Sequence, residues 1–431
     1  MSRRRLVYSF LSVVFVLFLS SPVFGAGYSL YEGSARGNVI GGGLVASADD
    51  ASALFFNPAG ITQLKGIQTQ IGVTAITPSY TVDVSTGTAP GSYGSQTNWF
   101  FPPHAYLTYQ INDSWYTGLG IFSRYGLGTE FQNGWPGRYN SYHASIVEVE
   151  INPNIAYKVN DKFSIAAGVV ASYFNVTLQR ALPATGGDID FKVSGDSWGW
   201  GWDLALQYKP TEWMQFGITY RSKIEQNVKG NVAVSRTVST TAGLGANIAN
   251  MSGGADITLP DTIYTGVNFN VTKTWSVGGG VYWTGWQYYD KLQLNFGAPF
   301  GGNAVTSGPS TTAVSPKNWA NVARYLIGTE WKVTPNWDLR LGYAYDTAPE
   351  PLNTLDYILP DNDRHMLSIG AGYHQNAWSV DLSYTYMIIV DNSYIGNPTG
   401  SAAVAAAPAT YPGKLTSGSA HLIGLTFGYK F

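Results

Sequence analysis

The side chains that could perform acid–base or nucleophilic chemistry are few and scattered along this chain. It contains no cysteine, which excludes thiolate nucleophiles, thiolate-bound metals and disulfide frameworks. None of its histidines lies in a nucleophile elbow or in a zinc-binding His-Glu-x-x-His pattern. They are His104, His143, His365, His374 and His421. A hydrolase is therefore disfavoured, and the sequence predicts neither an enzyme nor a bound metal or cofactor.

The composition narrows the fold class and the partners. The 25 Lys and Arg residues nearly balance the 27 Asp and Glu residues, for a net charge of -2, so nucleic-acid binding is not expected. Aromatic residues make up 14% and charged residues only 12% of the chain, unlike an average soluble domain. The mean hydropathy of -0.05 is low for a helical membrane protein. An extended or closed β architecture is expected.

The N-terminus has the features of a signal peptide. Basic residues at 3–5 precede an apolar run at 6–19, which is shorter than the roughly 20 residues that a membrane-spanning helix needs. We predict a signal peptide at 1–25, cleaved between Gly25 and Ala26. A retained anchor is the alternative, which the short run and Pro22 disfavour. No later apolar stretch approaches spanning length, so a membrane location would require strands.

Apolar and polar residues alternate along most of the remaining chain. Between Trp202 and Lys209, apolar side chains occupy every second position, with Asp203 and Gln207 between them. The same alternation recurs at 214–221, 339–346 and 378–386. Because successive residues of a strand point to opposite faces, this pattern predicts amphipathic strands and is incompatible with a helix.

The connections between these strands alternate between short and long. Short turns are followed closely by an aromatic residue, at Phe163, Trp213, Trp275, Trp337 and Trp378. Long polar connections lie around 229–258, 297–316 and 391–419. Aromatic residues at a common height are typical of a membrane–water interface. A soluble propeller or sandwich is the alternative, since their turns also recur regularly.

The last strand favours the membrane interpretation. Apolar side chains alternate from Ile423 to the terminal Phe431, and this ending resembles the assembly signal of bacterial outer-membrane β-barrels. A closed barrel satisfies every backbone hydrogen bond while lipid contacts its apolar face. We therefore predict an all-β transmembrane fold, an antiparallel barrel in the outer membrane of a Gram-negative cell. It is expected to be a monomer surrounded by lipid and lipopolysaccharide, with short turns in the periplasm and long loops outside.

The segment before the first strand shows no alternation. Asp49 or Asp50 can cap a helix that runs from Ala51 to Phe56, and Pro58 ends it. We predict a compact helical plug, or hatch, at 26–66 and a barrel at 67–431. A segment of this size fits the lumen of a barrel of medium diameter.

Several short motifs, in order, resemble those of the FadL/TodX family of outer-membrane transporters for long-chain fatty acids and other hydrophobic compounds. They lie at 26–32, 48–51, 57–59, 123–131, 199–202, 220–223, 259–261 and 360–364. The resemblance implies a barrel of about 14 strands with an N-terminal hatch, although 12 or 16 strands would fit the chain length nearly as well.

The resemblance also implies a transport route for a hydrophobic small molecule. Such a ligand would bind in the lumen and leave sideways through a gap made by a kinked strand. By position, Ser123, Gly126 and Gly128 belong to the kinked strand, and the hatch residues Asn57, Pro58 and Ala59 lie beside the gap. Glycine and proline tolerate the interrupted hydrogen-bond ladder that a kink creates. Without the resemblance, Asn57 and Pro58 would be an ordinary helix stop.

A fatty-acid carboxylate inside an apolar pocket needs a cationic partner. Arg180 falls where the family's carboxylate-binding arginine is found, and Lys317 is a second candidate cation. Ala26, Gly27 and Tyr28, at the new N-terminus, are implied to fold into the barrel and contact the ligand. For both cations, the alternative is an ordinary ion pair with an acidic side chain in the lumen.

Two questions stay open at this point. A water-filled porin for small polar solutes is the alternative function, although a porin has no need of a hatch. The sequence also does not distinguish a fatty acid from an alkane or an aromatic hydrocarbon as the ligand.

Overall fold

The computed structural model describes residues 27–84, 89–183, 186–236, 250–302, 309–395 and 413–431. The predicted signal peptide at 1–25 and Ala26 lie outside these ranges. Among the described residues, no helix has both the length and the apolar character needed to cross a bilayer.

Across the described ranges, fourteen antiparallel strands form a closed barrel, which confirms the predicted fold. Seven strands are continuous: β1 (Ile67–Val84), β4 (His143–Lys158), β5 (Phe163–Leu182), β6 (Ile189–Thr211), β11 (Trp337–Asp346), β12 (Arg364–Gln375) and β14 (Gly413–Lys430). Each strand pairs with its neighbours in chain order. The ladder between β1 and β14, from Gln68 opposite Lys430 to Val84 opposite Gly413, closes the barrel.

The other seven strands are each interrupted once. They are β2 (Gly91–Gly94 and Pro103–Gln110), β3 (Trp115–Phe122 and Gly126–Glu130), β7 (Met214–Arg221 and Ile224–Val234), β8 (Met251–Leu259 and Thr262–Asn270), β9 (Trp275–Thr284 and Lys291–Gly302), β10 (Pro309–Pro316 and Val322–Lys332) and β13 (Trp378–Ile389 and Asn392–Ile395). In each of them one segment begins or ends at a short turn, and the break separates it from a second segment on the side of the long loops.

The outward face has an apolar band of the height that an outer membrane requires. On β6, exposed apolar residues run from Trp198 to Tyr208, and their partners on β5 are Tyr173 and Phe163. These about ten residues, at about 3.3 Å each and with a strand tilt of about 40°, span about 25 Å along the barrel axis. Inward residues of the same strand, such as Asp203 and Gln207, are buried.

The segment before β1 folds as a helical plug inside the barrel. It consists of α1 (Gly37–Ser47), α2 (Ala53–Phe56) and a 3-10 helix (Pro58–Gln63). Two further 3-10 helices are Pro136–Tyr139, in the connection between β3 and β4, and Trp286–Tyr288, in the interruption of β9. The predicted helix and its stop at Pro58 correspond to α2 and the 3-10 helix. Asp50 acts beside the helix start, where its carboxylate accepts the Ser52 N–H at 2.9 Å.

Helix α1 was not predicted, because its glycine-rich sequence is a poor helix former. The glycines serve a close approach to the wall. A Cβ on Gly42 would lie 2.6 Å from the backbone nitrogen of Gly280 on β9, and a Cβ on Gly266 of β8 would lie 2.1 Å from the Gly42 carbonyl oxygen. Glycine on both surfaces therefore lets α1 lie directly against the strand backbone.

Ion pairs fix the hatch near the short-turn end. Arg36 contacts Asp49 at 2.7 Å, Asp50 at 2.8 Å and Glu330 of β10 at 2.8 Å. Glu330 also pairs with Arg340 of β11 at 2.6 Å. The hatch is thus connected to the wall by charge as well as by packing.

Candidate functional site

Strand pairing changes at the interruption of β3, at residues 123–125. The first segment of β3 pairs with both β2 and β4, and its ladder with β2 ends at Phe122 opposite His104. The second segment is paired with β4, from Gly126 opposite Val147 to Glu130 opposite His143. Ser123 lies at the interruption, and Gly126 and Gly128 lie in the segment that follows it.

Two other parts of the chain satisfy the backbone groups that this interruption leaves unpaired. The Glu148 carboxylate accepts the N–H groups of Arg124 at 2.9 Å and Tyr125 at 3.4 Å. The N-terminal segment, Gly27–Leu30, runs alongside. Its Leu30 N–H donates to the Arg124 carbonyl at 2.7 Å, and its Tyr28 carbonyl accepts the Gly126 N–H at 2.9 Å. The interrupted strand is therefore completed from inside the lumen.

A cavity of about 270 Å³, here the wall cavity, lies at this part of the wall. Ser123, Gly126 and Gly128 all line it, together with Glu32 and Arg324 in the lumen. Its lining also includes Phe101 and Val147, which are 59% and 52% exposed on the outer surface. One cavity thus contacts both buried lumen residues and residues that are exposed on the outer surface.

Gly128 gives the wall cavity its shape. A Cβ at this position would lie 1.8 Å from the nearest ring atom of Phe100. Phe100 belongs to the irregular part of β2 and bridges Ile76 of β1. The missing side chain of Gly128 thus gives the Phe100 ring the space that it occupies beside the opening.

Gly27 is clamped by a charged pair. Its N–H donates to Asp361 at 3.1 Å, and its carbonyl accepts from Arg364 at 2.8 Å. Arg364 and Asp361 also pair with each other at 2.7 Å. Burial raises the pKa of Asp361, while Arg364 opposes this increase. The backbone at Gly27 has φ +57°, a left-handed conformation that favours glycine.

Tyr28 occupies the centre of an aromatic cluster. Its ring centroid lies 4.5 Å from that of Trp286, 5.7 Å from Trp319, 5.8 Å from Tyr289 and 6.1 Å from Tyr125. The side chain is 3% exposed. Its hydroxyl makes no hydrogen bond within the described residues. The aromatic packing therefore holds Tyr28 in place without a polar contact at the ring's far end.

Arg180 lines a second cavity of about 60 Å³, here the arginine cavity. The other walls are largely apolar and include Leu178, Phe191 and Leu292. The guanidinium lies 5.3 Å from the centroid of the Phe191 ring. None of the described carboxylates forms an ion pair with Arg180, although Asp356, the partner of Lys317, also lines this cavity.

Lys317 is in a different situation, because acidic residues already neutralise it. It is 2% exposed and contacts Asp356 at 2.7 Å and Glu350 at 3.7 Å. Burial lowers the pKa of Lys317, but the two acids outweigh this effect and raise it. The structure therefore shows the lumen ion pair that the sequence left as the alternative for this residue.

A third cavity of about 20 Å³, here the middle cavity, lies between the other two and shares lining residues with each. It shares Leu178, Leu292 and Ile358 with the arginine cavity. It shares Ile146 and Leu359 with the wall cavity. Tyr28 and Lys317 both line it. The three cavities thus follow one another from Arg180 to the opening in β3, with Tyr28 beside the narrowest one.

The predicted hatch residues hold the hatch together and join it to β6. Asn57 is fully buried; its side-chain amide donates to the carbonyls of Val45 at 2.8 Å and Leu206 at 3.0 Å. Its oxygen accepts the Ala59 N–H at 3.1 Å, so it caps the 3-10 helix that begins at Pro58. Other hatch residues face β3: a Cβ on Gly118 would meet Leu54 at 2.8 Å, and Phe55 lies 5.1 Å from Phe122.

Sequence reasoning missed several residues of this site. Glu148 accepts backbone N–H groups that the interruption of β3 leaves without a strand partner. Arg324 and Glu32 line the wall cavity. Trp286 and Trp319 surround Tyr28. Each lies far along the chain from the residues that it contacts. Glu32 belongs to one of the motifs quoted above, but that motif carries no signal for the contacts.

Comparison with known proteins agrees with this geometry. A family model described as outer membrane protein transport protein (OMPP1/FadL/TodX) matches residues 16–431. The long-chain fatty acid transport protein of Escherichia coli strain K12 is 27% identical over 433 residues, covering 90% of this chain and 93% of that protein. A putative outer membrane protein of Neisseria meningitidis serogroup B is 27% identical over 464 residues, covering 96% of each.

Solved structures share the fold. A FadL homologue from Pseudomonas aeruginosa has a TM-score of 0.77 at 21% identity, covering 94% of this chain and 100% of that one. The toluene transporter TodX of Pseudomonas putida has a TM-score of 0.70 at 18% identity, covering 95% and 100%. The homologues are transport proteins of the outer membrane and not enzymes. This chain belongs to the OMPP1/FadL/TodX family of outer-membrane transporters for hydrophobic compounds.

Proposed function

We propose that this protein takes up amphipathic acids, such as long-chain fatty acids, and releases them sideways into the outer membrane. The observation that carries the proposal is the row of cavities from Arg180 to the opening beside Ser123. The ligand would bind with its carboxylate at Arg180 and its tail in the apolar lining. It would then pass Tyr28 and leave through the wall cavity.

The position of the opening suits a lateral release. Trp115, at the short-turn end of β3, is exposed on the outer face. Ser123 follows about eight residues later, which places it about 20 Å higher along the barrel axis for the same strand tilt. This height falls in the upper half of the apolar band, so a departing tail would meet hydrocarbon. Lipopolysaccharide and other lipids are the expected surroundings of a monomer.

Arg180 is suited to hold the headgroup. A buried carboxylate without a partner is strongly unfavourable, and Arg180 has no acid partner among the described residues. Lys317 is less suited, because a ligand would have to compete with Asp356 and Glu350 for its charge. We therefore assign the headgroup contact to Arg180, with Lys317 keeping the wall of the middle cavity neutral.

The N-terminal segment would couple ligand binding to release. Tyr28 lines the middle cavity, and the backbone of the same segment completes the interrupted β3 through Arg124 and Gly126. A ligand that displaces the Tyr28 ring would therefore also disturb the hydrogen bonds at the opening. Ala26 lies outside the described residues, whereas Asn57, Pro58 and Ala59 would keep the hatch closed below.

A water-filled porin fits the described lumen less well. Leu54, Phe55 and Phe56 of the hatch are fully buried and pack with inward-facing residues of the wall in one apolar core. A path for polar solutes would have to cross this packing, whereas a path for apolar ligands runs along the cavities above it.

Substitution of Arg180 tests the headgroup contact. A hydrogen bond to a charged group contributes about 1.5–3 kcal/mol, so Arg180→Ala should weaken binding of a long-chain acid by roughly 10- to 150-fold. Binding of the matching alcohol should not change. The assay is equilibrium binding to purified protein in detergent, with Lys192→Ala, an exposed cation on β6, as the control. Equal acid binding by Arg180→Ala and the parent protein would contradict this assignment.

Substitution of Ser123 tests the exit. Ser123 is 8% exposed and lines the wall cavity, so Ser123→Lys should obstruct the opening with a long charged side chain. Uptake by cells should fall strongly, while ligand binding and heat-resistant folding of the barrel persist. Gly134→Lys is the control, since that position has open space around it. Undiminished uptake by Ser123→Lys would argue for a different exit.

A further inference from the structure

The polar end of the wall cavity contains more acid than base. Its lining includes the carboxyl groups of Glu32, Glu148 and Asp361 and the guanidinium groups of Arg324 and Arg364. The arginine cavity is lined by one cation, Arg180, which pairs with none of the described acids, and by one acid, Asp356, which pairs with Lys317. A carboxylate that moves from one cavity to the other therefore leaves a cation and approaches an acidic surface.

Most of these groups are already committed to partners. Asp361 and Arg364 pair with each other and hold Gly27. Glu148 accepts backbone N–H groups at the interruption of β3. The charges left to face a ligand are therefore those of Glu32 and Arg324.

Arg324 is itself balanced from behind. Its guanidinium lies 3.9 Å from the Asp346 carboxylate and 4.5 Å from the centroid of the Tyr31 ring. Asp346 is 1% exposed. An ionised ligand would thus find Arg324 shared with the Asp346 carboxyl group behind it, and Glu32 as a further carboxyl group of the same cavity.

Glu32 is placed to carry a proton. It is 8% exposed, and one of its oxygens accepts the Tyr31 N–H at 2.8 Å. The charged groups that act on it are Arg324, Arg364 and Asp346. Burial raises the pKa of Glu32, although Arg324 opposes this increase. The neutral form of Glu32 is therefore more populated than that of an exposed glutamate at the same pH.

We propose that a carboxylic-acid ligand leaves through the wall cavity in its neutral form, and that Glu32 donates the proton. The O–H bond of the Glu32 carboxyl group breaks as an O–H bond forms on a ligand carboxylate oxygen. The Glu32 carboxylate then regains a proton from a hydronium ion of the solvent, which leaves neutral water. The neutral acid enters hydrocarbon without the cost of burying a charge. This inference rests on the proposed function, but ligands without an acid group would use the exit without it.

The experiment compares dodecanoic acid with dodecan-1-ol, which has the same tail and no acid group. Initial uptake rates are measured from about pH 5.5 to about pH 8 in a host that lacks its own carrier for these compounds. For Glu32→Gln, acid uptake should fall roughly tenfold or more at the acidic end and lose its protein-dependent response to pH. Alcohol uptake should equal that of the parent protein. Glu32→Asp should retain part of the acid uptake.

A matched control and a binding measurement make the outcomes distinct. Glu225→Gln removes an exposed carboxyl group on β7, outside the cavity, and should change neither rate. Purified Glu32→Gln should bind dodecanoic acid as tightly as the parent protein, because the headgroup contact at Arg180 is intact. Unchanged acid uptake, or an equal loss of acid and alcohol uptake, would overturn the inference. Absence of protein-dependent alcohol uptake in the parent would instead count against the proposed function.

Discussion

The conformation of Gly27 provides a direct way to loosen the N-terminal segment. A Cβ at this position would lie 2.5 Å from the Trp319 ring and 3.1 Å from the Trp286 ring. The backbone is also left-handed, which costs an L-residue about 1–2 kcal/mol. Together, strain and crowding should weaken docking of the segment in Gly27→Ala by about 2–3 kcal/mol, so the docked population relative to the undocked one should fall roughly 30- to 150-fold.

Amide hydrogen exchange reports this change at defined positions. The N–H groups of Leu30 and Gly126 are hydrogen-bonded between the segment and β3, so their exchange should accelerate by about the same factor when undocking limits exchange. Amides in the middle of β5 and β6 should keep their protection, because the β5–β6 ladder does not include the segment.

Gly187→Ala is the matched control. Gly187 also has a positive φ, +107°, but no heavy atom lies within 4 Å of its Cβ position. It therefore carries backbone strain without crowding and is remote from β3 in sequence. If Gly27→Ala left the exchange of Leu30 and Gly126 unchanged, the docking described here would be wrong. If exchange accelerated equally throughout the barrel, the segment would not be a separable element.

Two further predictions concern the ion pairs that join Lys317, at the interruption of β10, to the connection between β11 and β12. Lys317→Ala should destabilise the folded barrel by about 3–5 kcal/mol in denaturant melts, because it leaves two buried acids without their cation. The control is Lys223→Ala, which breaks an exposed ion pair and should cost under about 1 kcal/mol. Similar losses of stability for both variants would refute this prediction. Burial raises the pKa of Glu350, while Lys317 opposes the increase. An acid whose pKa is raised in the folded state stabilises the fold less and less as the pH rises through that pKa. Protection of this connection in hydrogen exchange should therefore decrease from acidic to alkaline pH, and Glu350→Gln should abolish that dependence. An unaltered pH profile in Glu350→Gln would exclude this residue as its source.

The barrel itself could be predicted because lipid acts on every strand in the same way. Residues such as Leu204 and Leu341, which are 51% and 59% exposed, must be apolar where they face hydrocarbon, and the alternation records this requirement locally. The strand count was less certain from length alone, and the resemblance to a known family supplied it.

The interior was harder to predict, because its contacts join distant residues. Lys317 and Asp356 are 39 positions apart, and Gly27 and Asp361 are 334 apart. No local pattern reports such pairs. Helix α1 was missed for a related reason: the tertiary contact of its glycines with Gly280 outweighs their low intrinsic helix propensity.

The breaks in the seven interrupted strands lie at similar heights, about eight to twelve residues from the short turns. Below that height, cross-strand hydrogen bonding is continuous around the circumference, which makes the lower part of the barrel stiff. Above it, seven of the strands are interrupted, so the upper part of the barrel is less constrained. Changes of shape or composition can therefore be absorbed in the upper part while the lower part keeps its circumference. Surface engineering of this transporter, by grafting foreign sequence or altering selectivity, is best directed at the upper part.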